Sequence, residues 1–186
     1  MILHINACAR KNSRTLLLSN RLLSALNGNV KEIKLYETSF PVTSEEFLTE
    51  RDKLVARGEF SAPFFDLAKD FAAADVIVIS APYWDLSFPA SLKQYLEQIN
   101  VPHLTFAYDE NGKAKGLCKA KILYYVTTAG GYVNEVFGYG YVKALCETLY
   151  GIKETRLIKA EGLDIDGADV DGILSEAKTR IDGLAK

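Results

Sequence analysis

Residues 75–89 read Asp75-Val76-Ile77-Val78-Ile79-Ser80-Ala81-Pro82-Tyr83-Trp84-Asp85-Leu86-Ser87-Phe88-Pro89. The run from Val76 to Ile79 is β-branched throughout and shows no polar alternation. A short continuous apolar run bounded by turn residues reads as a strand covered on both faces. Such strands belong to parallel sheets held between helical layers. The loop that follows is unusual. It carries the only Trp of the chain together with Tyr83 and Phe88, where polar turn residues are the norm. Pro89 then suits the first turn of a helix, whose apolar face carries Leu92, Tyr95, Leu96 and Ile99.

The same alternation extends in both directions. Residues 1–7 form a second buried run, followed by the polar turn Arg10-Lys11-Asn12-Ser13. A helical stripe of Leu16, Leu17, Leu22, Leu23 and Leu26 then stops at Asn27-Gly28. Residues 30–36 predict a more polar strand, at home on a sheet edge. Helical patterns cover 44–58 and 63–74. Residues 121–127 return to strand, 137–150 to helix, 154–160 to a last strand and 170–184 to a closing helix. Residues 101–118 make an excursion in which the turn signal Asp109-Glu110-Asn111-Gly112 predicts a small hairpin. Five strands alternating with helices give a parallel sheet covered on both faces, with right-handed crossovers. Placing the polar strand at an edge yields the doubly wound order 2-1-3-4-5.

The 186 residues fit one domain spanning 1–186. With 48% hydrophobic and 25% charged residues, general disorder is excluded. Twenty-two Lys plus Arg against 24 Asp plus Glu leave a net charge of −2. That balance offers no global field for nucleic acid, and it lacks the strongly acidic face of an electron carrier. Cys8, Cys118 and Cys146 lie far apart with no C-x-x-C, and His4 and His103 are the only histidines. The pattern argues against a metal site or a disulfide framework, and reduced thiols fit a cytoplasmic protein. There is no basic n-region at the N-terminus and no run of 18 apolar residues, so neither a signal peptide nor a membrane span is expected.

Open α/β sheets bind ligands beyond the carboxyl ends of their strands, at the switch point. The turns after the first, third and fourth strands therefore matter most. The first, Cys8-Ala9-Arg10-Lys11-Asn12-Ser13-Arg14-Thr15, runs into a helix N-terminus, where free N–H groups and the dipole favour a phosphate. Equally, Asn12 or Ser13 there is an ordinary helix cap. No G-x-G-x-x-G or G-x-x-x-x-G-K-[ST] pattern is present, which argues against a dinucleotide fingerprint and a P-loop. In the second turn, Tyr83 and Trp84 suit a flat aromatic ligand; a hydrophobic plug or a dimer contact is the alternative. In the third, Thr127-Thr128-Ala129-Gly130-Gly131-Tyr132, the paired glycines permit close approach of backbone to a ligand or serve only as a turn.

In order and spacing, these pieces resemble the flavodoxin-like FMN-dependent NAD(P)H oxidoreductases, which include NADH-azoreductases and NAD(P)H:quinone reductases. The resemblance rests on Ser13-Arg14-Thr15 and on Ala81-Pro82-Tyr83-Trp84-Asp85-Leu86 followed by Pro89 and Leu92-Lys93. It continues through Phe106-Ala107-Tyr108, Gly112 and Gly116-Leu117 to Thr127-Thr128-Ala129-Gly130-Gly131. It implies a flavodoxin-like three-layer α/β/α fold with a five-stranded parallel sheet, order 2-1-3-4-5, plus a small hairpin excursion. Ser13, Arg14 and Thr15, beside Arg10, would hold the phosphate of non-covalently bound FMN. Pro82, Tyr83, Trp84, Asp85 and Leu86 would line the isoalloxazine, with Thr128, Ala129, Gly130 and Gly131 flanking it from the other side. NADH or NADPH would donate, and a small aromatic acceptor such as a quinone or azo compound would take two electrons in ping-pong fashion. No catalytic side chain and no metal is implied, because the flavin carries the chemistry. Homodimers with sites at the interface are the family's usual form.

Two departures stand out. Tyr83-Trp84-Asp85-Leu86 replaces a frequent Met-Tyr-Asn-Phe, and Ala129 replaces a frequent Arg before the glycine pair. An Asp85 carboxylate turned inward would disfavour an anionic reduced ring. On the excursion, His103 and Tyr108 are candidates to cover the site or reach a partner subunit. His4, on a buried strand, reads as structural, and Cys8 as a packed thiol. A flavodoxin-like electron carrier, or a cofactor-less binding module on the same fold, are the alternative functions.

Overall fold

The computed structural model describes residues 1–184. Its strands, in chain order, are β1 (Ile2–Asn6), β2 (Val30–Lys34), β3 (Val76–Ser80), β4 (Phe106–Tyr108), β5 (Ala114–Gly116), β6 (Ile122–Thr128) and β7 (Glu154–Ala160). Its α-helices are α1 (Arg14–Leu26), α2 (Glu45–Ala56), α3 (Asp66–Ala73), α4 (Ala90–Ile99), α5 (Tyr139–Leu145) and α6 (Val170–Leu184). Five strands form a parallel sheet in the order β2-β1-β3-β6-β7, while β4 and β5 pair antiparallel outside it. Counting only the sheet strands, the order is 2-1-3-4-5, as the alternation predicts.

Local boundaries differ most in three places. Pro89 stands before α4 as its N-cap rather than inside the first turn. The helix expected over 63–74 begins as a 3₁₀ turn, Pro63–Phe65, before α3. The helix expected over 137–150 divides into α5 and a π-helical turn, Cys146–Tyr150, closed by Gly151 at φ 74°. That glycine meets the base of the hairpin. A methyl group on Gly116 would fall 2.1 Å from the Gly151 nitrogen, so the two backbones can touch only because both residues lack side chains. The excursion leads into the start of β6, with Lys119 N–H on the Ala72 carbonyl at 2.9 Å. It therefore lies at the N-terminal edge of the sheet. His103 and Tyr108 do not cover the strand C-termini of their own chain.

Side chains alternate across the sheet, as the pleat requires. Leu3, Ile5, Ile77, Ile79, Leu123 and Tyr125 pack with Phe71, Tyr95 and Tyr150 on the face of α3, α4 and α5. Ile2, Val78, Tyr124, Val126 and Ile158 pack on the other face with Leu18 and Leu22 of α1 and Leu174, Ala177 and Ile181 of α6. Towards the C-terminal ends of the strands, this second face becomes polar. His4, Asn6, Ser80 and Thr128 are all buried there, beneath α1.

Those polar groups satisfy one another. Ser19 Oγ donates to the Thr15 carbonyl at 2.9 Å. Its only hydrogen is used there, so Ser80 Oγ donates to Ser19 Oγ at 2.6 Å. By the same count, His4 must donate from Nε2 to Ser80 Oγ, 2.6 Å away. On the far side of the ring, His4 Nδ1 lies 3.4 Å from Glu32 Oε1, and Asn6 Nδ2 donates to the same oxygen at 2.9 Å. Burial pushes the His4 pKa below its ordinary value, with Glu32 pulling the other way more weakly.

Two outcomes follow for stability. Ser19→Ala leaves the buried Ser80 hydroxyl hydrogen without an acceptor, while the Thr15 carbonyl keeps its helical bond, and should cost about 1–3 kcal/mol in urea unfolding. A cost near zero would mean that water replaces the serine. For His4, the folded pKa lies below the ordinary value of 6.5, so the unfolded chain takes up the proton first. Its contribution is intact above pH 6.5 and is lost as the pH falls from there through the folded pKa. The urea midpoint should fall across that window, and less steeply in His4→Gln; equal slopes would remove His4 as the cause.

Candidate active site

A crevice of about 470 Å³ opens at the C-terminal ends of the strands, within the usual range for small-molecule sites. Four loops supply its walls. The loop after β1 gives Ala9, Arg10, Asn12, Ser13, Arg14 and Thr15. The loop after β3 gives Pro82, Tyr83 and Trp84, and that after β6 gives Thr128, Ala129 and Gly130. Leu163 and Asp164 come from the loop after β7, which carries no phosphate or aromatic signature in the sequence. The one local signal there is Gly162, which has a φ of 76° just past the last strand.

In the first loop, the hydroxyl groups serve the fold. Ser13 caps α1 by accepting the Leu16 N–H at 3.3 Å. Thr15 is fully buried, with its Oγ1 2.6 Å from Thr128 Oγ1. What the loop offers a ligand is the side chains of Arg10, Asn12 and Arg14, the first-turn N–H groups of Arg14 and Thr15, and the Ser13 O–H, whose hydrogen the cap does not use. Groups in that position have no acceptor within the helix, and the helix dipole adds partial positive charge beside them. Capping and anion binding are thus compatible here. Arg14 Nη1 already carries a carboxylate, Asp164 Oδ1, at 2.8 Å.

The aromatic loop is held from several sides. Tyr83 N–H donates to the Thr128 carbonyl at 3.0 Å. The Tyr83 hydroxyl accepts the Asn134 N–H at 3.1 Å, and Ser87 Oγ donates to the Phe137 carbonyl at 2.9 Å. Trp84 and Ser87 exchange both backbone hydrogen bonds, at 3.0 and 2.8 Å, around a two-residue turn. The two turn residues are Asp85 at φ 50° and Leu86 at φ 65°, a left-handed pair that usually takes Asn and Gly.

That turn also sets where its two central residues lie. Asp85 and Leu86 do not line the crevice; both are exposed at its rim, because the central residues of so tight a turn point away from the wall it closes. The Asp85 carboxylate accordingly stays outside. Gly131 also lies beyond the lining, with open space where a side chain would be. Cys8 sits under the first loop with its thiol pushed up to about 11, chiefly by burial, and is no thiolate at neutral pH. Among the described residues, no group of His, Cys, Asp and Glu has the makings of a metal site, and no helix is long and apolar enough to cross a membrane.

The family model for the flavodoxin-like fold matches residues 1–184. An FMN-dependent NADH:quinone oxidoreductase of Clostridium acetobutylicum is 35% identical over 186 residues, covering 93% of this chain and 92% of its own. A second, from Coprothermobacter proteolyticus, is 30% identical and covers 100% of this chain and 98% of its own. Among solved structures, an azoreductase from Bacillus anthracis superposes with a TM-score of 0.83 at 20% identity, covering 99% of this chain and 97% of its own.

The strained turn makes a stability prediction. A branched side chain in the left-handed region costs roughly 1–2 kcal/mol, and Leu86, 61% exposed, buries little in return. Leu86→Gly should raise the urea midpoint by an equivalent of roughly 0.5–1 kcal/mol, after allowing for the added freedom of glycine in the unfolded chain. A lower midpoint would show that Leu86 makes contacts that outweigh its backbone strain.

Proposed function

The chain belongs to the flavodoxin-like fold family, and from that premise we propose that it is an FMN-dependent NAD(P)H oxidoreductase acting on quinones, azo compounds or related aromatic acceptors. The observation that carries this reading is the two-ended chemistry of the crevice. Arg10, Arg14 and the N-terminus of α1 stand in the same cleft as Tyr83 and Trp84. A ligand with an anionic tail and a flat aromatic head matches both ends, and FMN is such a molecule. The relatives' names, FMN-dependent NADH:quinone oxidoreductase, point the same way.

When bound, FMN supplies the redox chemistry, taking two electrons from a reduced nicotinamide and releasing them to the acceptor. The protein's part is to bind, orient and shield. Arg10 and Arg14 would take the phosphate through charge-assisted hydrogen bonds, together with the Arg14 and Thr15 N–H groups. Ser13 holds that donor set in place through the cap, which leaves its own O–H hydrogen for the phosphate, and Thr15 steadies it from beneath through the Thr128 contact. Pro82, Tyr83 and Trp84 on one side, with Thr128, Ala129 and Gly130 on the other, would bracket the ring. Asp85 and Leu86 contribute the turn that fixes Trp84. Neither a nucleophile nor a general base is required.

The active form in this reading is a homodimer of single-domain subunits spanning 1–186. Its support is the set of exposed apolar side chains around the crevice, namely Trp84, Leu86, Tyr132, Val136 and Phe137, a density that marks interaction surfaces. A cytoplasmic setting accords with the free cysteines at positions 8, 118 and 146.

Anaerobic mixing of the FMN-loaded protein with NADH or NADPH tests the reading. Rapid loss of the visible flavin bands, and their return when a quinone is added, is the expected result. Retention of flavin without bleaching by either nucleotide would make the protein an electron carrier. Failure to bind FMN at all would leave a cofactor-less module.

A further inference from the structure

Asp164 belongs to a loop outside the three that the cofactor reading relies on, yet it reaches the cation at the centre of that reading. Its Oδ1 accepts Arg14 Nη1 at 2.8 Å across the mouth of the crevice. The loop beneath it is fixed. Gly162, Leu163 and Asp164 donate their N–H groups to the carbonyls of Gly131, Ala129 and Gly130 at 2.7, 3.2 and 3.0 Å. Gly130 is fitted to the carboxylate: a methyl group there would fall 2.4 Å from Asp164 Oδ2. The missing side chain of Gly130 therefore makes room for an acid laid across the wall, and the Gly130 position is taken by a protein group before any ligand arrives.

We propose that Asp164 is a built-in competitor for Arg14, which the phosphate of FMN must displace, and that it thereby sets how strongly cofactor binding depends on the phosphate. The proposal rests on the FMN reading above. Its energetics are self-consistent. The paired side chains are 44% and 69% exposed, and a pair so open to water holds its partner only a few-fold. A phosphate dianion offers more charge and more acceptor oxygens to the same guanidinium, so it wins the exchange, at reduced net affinity. Riboflavin has the same ring and ribityl chain but no phosphate. It can occupy the aromatic end of the crevice and leave the Arg14–Asp164 pair closed. Asp164 therefore narrows the preference for FMN over riboflavin.

Calorimetric titration of the full-length apo-protein with FMN and with riboflavin tests this in the wild type, Asp164→Asn and Asp166→Asn. Asp166 is an exposed acid two residues away and not part of the crevice lining, so it reports the general effect of losing one negative charge. The expected result is that Asp164→Asn tightens FMN roughly twofold to fivefold, leaves riboflavin unchanged, and is not matched by Asp166→Asn. Three results would overturn the proposal: unchanged FMN affinity in Asp164→Asn, equal tightening in Asp166→Asn, or weaker binding of both flavins in Asp164→Asn. The last would mean that the carboxylate itself holds the ribityl chain. If the wild type takes up neither flavin, the FMN reading fails and this proposal falls with it, a result distinct from the other three.

Discussion

Thr15 Oγ1 and Thr128 Oγ1 stand 2.6 Å apart, both buried, and they close a chain of contacts that runs from Glu32 through His4, Ser80 and Ser19 to the Thr15 carbonyl. Buried polar groups are expensive to leave unpaired, so the chain accepts one arrangement and penalises its neighbours. Leu18 and Leu22 glue α1 to the sheet, but apolar contacts alone tolerate a small slide or rotation. The hydroxyl contacts do not. They hold the first turn of α1 above the ends of β3 and β6. There its N–H groups, its dipole and Arg14 all point into one crevice. An anion site built on a helix terminus is only as accurate as the placement of that terminus, and here the placement is set from beneath, by buried hydroxyl groups packed under the helix.

The other walls follow the same logic with backbone in place of hydroxyl groups. Tyr83 N–H on the Thr128 carbonyl ties the aromatic loop to the strand end that also holds Thr15. The Gly162–Asp164 segment adds three more backbone contacts to the Ala129–Gly131 turn. Strain is confined to the rim, where Asp85 and Leu86 occupy left-handed positions. Non-glycine residues in that region persist where the surroundings enforce them, often at functional sites. In this protein the enforcing contacts are the reciprocal Trp84–Ser87 hydrogen bonds and the Ser87 contact to Phe137. They present Trp84 to the crevice and send the two turn side chains outwards.

Much of this was legible in the chain of letters, and the legible parts share a cause. The β-branched run before Ala81, the leucine stripe of α1 and the polar second strand each report a local demand for burial or exposure. Those demands are met within one element and its nearest layer. The hairpin at Asp109–Gly112 is equally local. Asp109 Oδ1 accepts the N–H groups of Asn111 and Lys113, both at 2.9 Å, and Gly112 takes φ 74°. Turn chemistry of that kind is written in adjacent residues.

By itself, then, the sequence determined the layer architecture, the strand order and the three loops that face the crevice, because periodicity and turn residues act over a few positions. Only the tertiary structure decided which atoms in those loops remain for a ligand. Thr15 looks like a phosphate donor until burial and the Thr128 contact place its hydroxyl beneath the site, whereas Ser13 caps α1 with a lone pair and keeps its O–H hydrogen for a ligand. Asp85 looks like a flavin neighbour until its turn carries it to the rim. Asp164 looks like nothing until it meets Arg14, 150 positions away in the chain. Contacts across such separations leave no periodic trace in a single sequence. They arise when the sheet brings the ends of β1 and β7 to the same edge, and the hydrogen-bonding capacity of each buried group then allows few other solutions.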